Sequence, residues 1–512
     1  MKRTRFQAGS SDAEMEYAEM TRIEAAVTNR PPVTAAQAGH PGHPGHPGRW
    51  LAAIIMITGA LMDMIDVTIV NVALPTIRHD LHASATQLEW VVSGYMLAFA
   101  AALIIAGNLG DLLGRKRVFL LGVGLFGLAS LSAGLAGTGA ELIAARVVQG
   151  AAAAAMTPQV LATFRAIFAP AERGKAFGIY GAMLGLASAV GLVLGGVLTD
   201  ANLFGWSWRA VFFINVPVAA GALIAGIRIV PETRDPAARR PNLAGAVLLA
   251  GSLVAIVYPL LEGRQLGWPA WVWPLLAGGV AGVCAVGLLE QRRTRRRPAP
   301  LLRPGLLRVP AFAAGLGIQL AFAAGMQGFF LTFALWLQIG EHFSPLKAGL
   351  TAVAFSVGSF IGAPAAVPLA QRYGRRILAG GAALMVAGLA GVAMAAGHVG
   401  VNGSPWPVVP GLVVAGLGLA LLIVPLVNVV LAAVPVELAG GASGLFSTAQ
   451  QLGGALGVAL LGTVFFGYLG AHSFAAALVH TAPYAIGAFA LCGVLSLLLP
   501  RTAVSEETAT EA

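Results

Sequence analysis

Charge is scarce in this chain. Of 512 residues, 11% are Asp, Glu, Lys or Arg and 57% are hydrophobic, with a mean hydropathy of +0.79. A soluble globular domain of this length cannot be built from that balance, because too few polar groups remain to face water. Cysteine is nearly absent as well. Cys284 and Cys492 lie far apart in apolar runs, which excludes a disulfide framework and a zinc knuckle. No GxxxxGK[ST] pattern occurs, so nothing suggests a phosphate-cradling loop for ATP. Past the first 49 residues the histidines are scattered, at 79, 82, 342, 398, 472 and 480. A membrane-embedded enzyme would instead need clustered nucleophiles, metal ligands or paired acids at one membrane face, so an enzyme, a bound metal and a cofactor are not expected.

What the chain has in excess is apolar length. From Trp50 to about residue 499 there are fourteen apolar runs of about 20 residues, the length a bilayer requires. They lack the apolar–polar alternation of a membrane barrel, so in lipid they must be helices. The net charge of +10 would suggest nucleic acid in a soluble protein. Here the basic residues sit in short connectors, where they orient the chain in the membrane, and no nucleic-acid partner is expected. Connectors after even-numbered runs carry Gly114–Arg117, Arg173 and Lys175, Arg239 and Arg240, RRTRRR at 292–297, and Arg372, Arg375 and Arg376; those after odd-numbered runs carry only Arg78, Arg209, Arg264 and Lys347. Lys and Arg stay on the cytoplasmic side, so both termini are expected inside. Trp90, Trp206, Trp208, Trp268, Trp271, Trp273 and Trp406 then fall at the outer interface, as an aromatic belt.

The expected organisation is a polar cytoplasmic tail over 1–49, a six-helix bundle over 50–230, two additional helices with a basic loop over 231–304, a second six-helix bundle over 305–500, and a tail over 501–512. The basic start MKRTRF is followed by no apolar h-region, so no cleaved signal is expected. Within the first tail, His40, His43 and His46 recur every three residues in GHPGHPGHPG and read as a low-complexity linker.

The stretch that governs function is LMDMIDVTIVNVALPTI, residues 61–77. Asp63 and Asp66 are three apart and project from one helical face. An ionised carboxylate in hydrocarbon costs roughly 2.5 kcal/mol or more, so two in one span mark a cavity or a partner. Such acids can exchange protons near neutral pH, which is the chemistry of a proton-coupled carrier. Arg146, in LIAARVVQG, is the basic residue placed deep in a span. A buried guanidinium needs a carboxylate or several acceptors, and Asp63 and Asp66 are the acids at that depth, with Gln149 one turn away. A fixed structural ion pair is the competing reading.

Five segments taken together carry a resemblance: MIDVTIVNVALP in span 1, GNLGDLLGRKR (107–117), LIAARVVQG in span 4, WRAVFFINVP (208–217), and ASGLFSTAQQLGGALGVALLG (442–462). The chain resembles the major facilitator superfamily, and within it the fourteen-span drug:proton antiporters, over roughly residues 50–500. That resemblance implies an all-α transporter of two six-helix halves plus two extra helices. It implies proton-coupled export of amphiphilic small molecules through alternating access, by a monomer in a bacterial cytoplasmic membrane. Asp66, Asp63 and Arg146 would then couple protons, and Gly107, Asp111, Gly114 and Arg115 would form a conformational latch, with Gly107 allowing close helix packing. GLVLGG contributes Gly191, Gly195 and Gly196 to an antiporter-like motif in span 5, with Leu192 where that motif has proline. Ser447 and Gln450 stand where the family often has Asn and Arg, and Gln371 stands where an acid is usual. Cavity-lining candidates are Asn71, Gln149, Gln327, Asn428, Gln450 and Gln451, with Gln319 beside them. The alternative is a dedicated exporter of one metabolite or antibiotic, or an uncoupled facilitator.

Overall fold

The computed structural model describes residues 48–234, 243–263, 266–294, 309–398, 403–432, 439–470 and 472–499. The His-Pro-Gly tract and the two tails lie outside the described residues. Among those residues the chain is helical and contains no strand. We label the long segments α1 (Arg49–Asp80), α2 (Ala85–Leu113), α3 (Arg115–Leu135), α4 (Gly139–Ile167), α5 (Pro170–Asp200), α6 (Ala210–Phe213 continuing as Asn215–Ile229), α7 (Leu243–Glu262), α8 (Val272–Thr294), α9 (Pro310–Leu335), α10 (Pro345–Tyr373), α11 (Arg376–Ala396), α12 (Val409–Ala432), α13 (Ala439–Leu469) and α14 (Phe474–Ser496). Among the described residues, eleven helices are long and apolar enough to cross a membrane, and a twelfth would be Ala85–Leu103 with Ile105–Leu113, bent by 48°.

Helix starts follow local chemistry. Ser84 caps α2, accepting from the Gln87 amide while the Gln87 side chain accepts from the Ser84 amide, a reciprocal pair that satisfies two otherwise orphan donors. Thr138, Ser344 and Ser473 cap α4, α10 and α14 through the side-chain acceptor alone. Pro170, Pro310 and Pro345 stand at the first turn of their helices, where a missing N–H costs nothing.

Helices α1–α6 pack chiefly on one another, and so do α9–α14. The two sets meet through α2 against α13, α5 against α10 and α1 against α9. Those seams are lined with glycine, because backbones can approach closely only where no side chain intervenes. A Cβ on Gly196 would lie 2.6 Å from the Leu346 backbone, and one on Gly349 2.4 Å from the Leu192 carbonyl oxygen. The α7–α8 hairpin leans on both sets: Glu262 accepts from Trp90 Nε1 of α2 at 3.1 Å, and the Leu260 carbonyl accepts from Thr463 of α13 at 3.3 Å.

One tryptophan departs from the expected belt. Trp208 is fully buried, donates to Asp80 at 2.8 Å and stacks under the Arg209 guanidinium at 4.4 Å. An indole enclosed in this way anchors the chain entering α6 and does not reach headgroups. Trp206, Trp273 and Trp406 remain exposed.

Candidate functional site

A polar cluster sits in the middle of α1–α6. Asp66 of α1 is fully buried, and Arg146 of α4 is 2% exposed. Arg146 Nη1 donates to Asp66 Oδ2 and also to Gln149 Oε1 at 2.8 Å, while Nε donates to the Val91 carbonyl at 3.1 Å. Asp66 Oδ1 accepts from Gln149 Nε2 at 2.8 Å and from Asn215 Nδ2 of α6 at 3.0 Å. Ser130 of α3 accepts from Gln149 at 2.8 Å. Both carboxylate oxygens of Asp66 are therefore occupied by donors from two neighbouring helices. Burying one ion of such a pair is tolerable only under that degree of satisfaction, since removing either partner leaves an uncompensated charge.

Asp63 differs. It lies one turn earlier on α1, is half-buried, and accepts from the Tyr95 hydroxyl of α2. The Tyr95 ring in turn lies under the Arg146 guanidinium, 4.1 Å from its centroid. One aromatic side chain thus touches the accessible acid through its hydroxyl and the buried cation through its face. Cation–π contact of this kind gains strength as water is removed.

The glycines of α5 fall into place against two partners. A Cβ on Gly191 would lie 1.9 Å from Thr68 Oγ1 of α1, and one on Gly195 3.0 Å from the Ile69 carbonyl, whereas Gly196 faces α10. The GNLGDLLGRKR segment is held within the first six helices. Asp111 Oδ1 accepts from Arg115 Nε at 3.0 Å and Nη2 at 2.8 Å, and Arg115 Nη1 reaches the Ala162 carbonyl of α4 at 3.2 Å. The strand-like exit of α6 lies across it: Glu232 accepts from the Lys116 amide at 3.2 Å, and the Thr233 carbonyl accepts from the Arg115 amide at 2.9 Å. Gly114 adopts φ +108 beside the Glu232 carboxylate, a conformation and a clearance that only glycine offers. Gly107 does not serve the close packing expected of it. A Cβ there would meet nothing within 4 Å, and the tight approach belongs to Gly110, whose Cβ would fall 1.9 Å from Gln159 Oε1.

The amide candidates are dispersed. Gln149 belongs to the central cluster. Asn71 is buried, donates to the Val67 carbonyl at 3.1 Å, and lines a small cavity with Val72, Leu192, Phe330 and Gln338. Gln327 donates to the Met96 sulfur at 3.8 Å, Gln450 is exposed and Gln451 is half-buried; the side chain of Asn428 lies outside the described residues. Among those residues no group of three or more His, Cys, Asp or Glu is placed to hold a metal ion. Residues that the sequence reading passed over are Asn215, Ser130, Tyr95 and two buried glutamates, Glu89 and Glu341. The first two were hidden because single Asn and Ser residues in apolar spans carry no periodic signal.

Comparison with known proteins fits this geometry. The Major Facilitator Superfamily model matches residues 56–339 and 316–512. The chain belongs to the major facilitator superfamily. It is 39% identical over 426 residues to a probable actinorhodin transporter of Streptomyces coelicolor, covering 83% of this chain and 74% of that one. It is 36% identical to a puromycin resistance protein of Streptomyces alboniger, covering 90% and 93%, and 32% identical to a multidrug efflux pump of Mycolicibacterium smegmatis, covering 81% of each. Among solved structures it superposes on a peptide transporter crystallised with sulfate at a TM-score of 0.64 and 17% identity, over 89% of this chain and 95% of that one. It also superposes on a bacterial homologue of a human lysosomal transporter, captured inward-facing, at a TM-score of 0.61 and 16% identity. These structures share the fold. This superfamily member is accordingly an all-α multi-pass membrane transporter, in a class of proteins that are not enzymes.

Proposed function

We propose that the protein exports amphiphilic small molecules across the bacterial cytoplasmic membrane in exchange for protons. It does so by alternating access between α1–α6 and α9–α14, with fourteen spans and both termini inside. Residues 50–230 and 305–500 would be the two moving halves, and 231–304 the linker hairpin. The observation that carries this reading is the pairing of two unlike carboxylates one turn apart: Asp66 locked to Arg146, Gln149 and Asn215, and Asp63 half-buried and held through Tyr95. Asp63 is the acid that exchanges protons with the cavity, and Asp66 with Arg146 forms the charged floor against which it does so. Tyr95 links the two, so substrate or proton arriving at Asp63 is felt at Arg146. A small lipophilic cation fits a cavity whose accessible charge is a carboxylate.

Each proton moving inward through 100 mV contributes about 2.3 kcal/mol, enough for roughly fiftyfold accumulation of a fully coupled substrate. Inverted vesicles loaded with a fluorescent lipophilic cation test the reading. Substrate addition should release protons, and Asp63→Asn should abolish that release. Transport indifferent to a collapsed pH gradient and membrane potential would establish facilitation instead. The relatives named for actinorhodin and puromycin favour a second reading, export of a single antibiotic, which a narrow substrate profile in the same vesicles would support.

A further inference from the structure

We propose that Glu341 is a proton-operated latch on the gate at the end of the molecule where α1 finishes and α10 begins: protonated it holds the gate shut, and deprotonated it lets the gate open. This rests on the antiport and orientation set out above, which make that end the outer one.

Glu341 follows a π-helical turn, Trp336–Gly340, that ends α9. It is 2% exposed. Its Oε1 accepts from Trp336 Nε1 at 2.9 Å, while Oε2 is buried and has no hydrogen-bond partner among the described residues. The turn that carries it also carries the closure. Gln338 donates to the Val72 carbonyl of α1 at 2.7 Å, Pro345 and Leu346 lie against Gly196 of α5, and Gly349 lies against Leu192. One connector thus joins the buried carboxyl to the contacts that seal α1 and α5 against α9 and α10.

An ionised carboxylate with an unsatisfied oxygen is costly to enclose, whereas the neutral acid is not. The surroundings offer little compensation. His342 and Lys347 are the charged or titratable neighbours. Lys347 is directed to the Gly403 carbonyl at 3.3 Å and over the Phe343 ring at 3.5 Å. From α14 the neighbour is Phe474, packed on Gly340. His342 adopts φ +54, a left-handed conformation costly for a side chain that is not glycine. Burial accordingly raises the Glu341 carboxyl above the usual carboxylate range. The sign follows: a closed gate binds the proton more tightly than an open, hydrated one, so closure is favoured at low pH and lost as pH rises through the raised value. A proton taken from outside after substrate release would then shut the gate and reset the carrier.

The test is the thiol-labelling rate of a reporter at Leu192→Cys, which is buried at the seam when the gate is closed. It is placed in a Cys284→Ser, Cys492→Ala background, reconstituted in lipid nanodiscs, and normalised at each pH to the exposed position Gly205→Cys. The normalised rate should rise at least about fivefold between mildly acid and mildly alkaline pH, the lower range of coupling between sites. Glu341→Gln, which keeps the acceptor for Trp336, should hold the low rate at every pH, and Glu341→Met should do the same should the glutamine variant fold poorly. The response should survive in Asp63→Asn. A rise that persists in both neutral Glu341 variants, or that vanishes in Asp63→Asn, overturns the latch, as does a parent protein whose rate ignores pH. Proton release in vesicles is measured separately, so loss of the latch and loss of antiport give different results.

Discussion

The first six helices and the last six share an architecture but not an interior. At the centre of α1–α6 lie two carboxylates, a guanidinium, and the amides of Gln149 and Asn215, joined by hydrogen bonds of 2.8–3.0 Å beside the Asp66–Arg146 pair. At the centre of α9–α14 the buried polar side chains among the described residues are isolated: Gln319, 2% exposed with Oε1 unpartnered, and Thr332 and Thr481 turned back on their own helices. Polar groups at membrane depth persist where they are paired or functional. On the antiport proposed above, the contrast would put energy conversion in the first set and make the second a largely apolar wall with an acid, Glu341, in its connector.

The contrast breaks most sharply at Asp63. Asp63→Asn should reduce proton-driven accumulation from up to about fiftyfold to parity, while the purified protein keeps its melting temperature, because Asp63 is half-buried and asparagine can still accept from its hydroxyl partners Tyr95 and Thr157. A variant that still concentrates dye against its gradient would move the energy-converting site elsewhere. Arg146→Ala comes next, and its effect is on folding. It strands Asp66 without a counter-charge, a loss of roughly 3–5 kcal/mol, seen as a steep fall in detergent-stable yield. Asn215→Ala should cost about 1–3 kcal/mol by the same measurement, as it unpairs one donor to a buried carboxylate. Asp111→Asn should leave stability within about 1 kcal/mol, since its pair with Arg115 is partly exposed. It should slow turnover with little change in substrate affinity, because the pair stitches the α2–α3 turn to α4 and not to the cavity.

Much of this was legible in the chain itself. The all-α fold follows from apolar run length alone, and a contact of Arg146 with Asp63 or Asp66 follows from the rule that a deep guanidinium must find a carboxylate; the structure selects Asp66. The different partners of Asp63 and Asp66 are not legible, because three residues of spacing gives a shared face but not which side of that face meets Tyr95 and which meets α4 and α6. Trp208 was misplaced because a belt tryptophan and an anchoring one have the same sequence setting, and only the Asp80 carboxylate distinguishes them. Glu341 is illegible for a related reason: in a short connector an acid reads as solvated, and the π-helical turn that buries it leaves no mark on the hydrophobic pattern.

The smallest effect is expected in the second set of helices, and its sign makes it informative. Gln319 of α9 is enclosed with its carbonyl oxygen unpartnered among the described residues. Amide bonds between membrane helices contribute on the order of 0.6 kcal/mol on average, and an oxygen that makes none gives nothing to offset its burial. Gln319→Leu, similar in volume, should therefore leave the melting temperature unchanged or raise it slightly, with transport intact. Gln149→Leu, the same change in the first set, should lower both, since it strips contacts from Asp66, Arg146 and Ser130 together. Equal losses at the two positions would mean that Gln319 contacts substrate in another conformation, and that the second wall is less passive than its packing makes it.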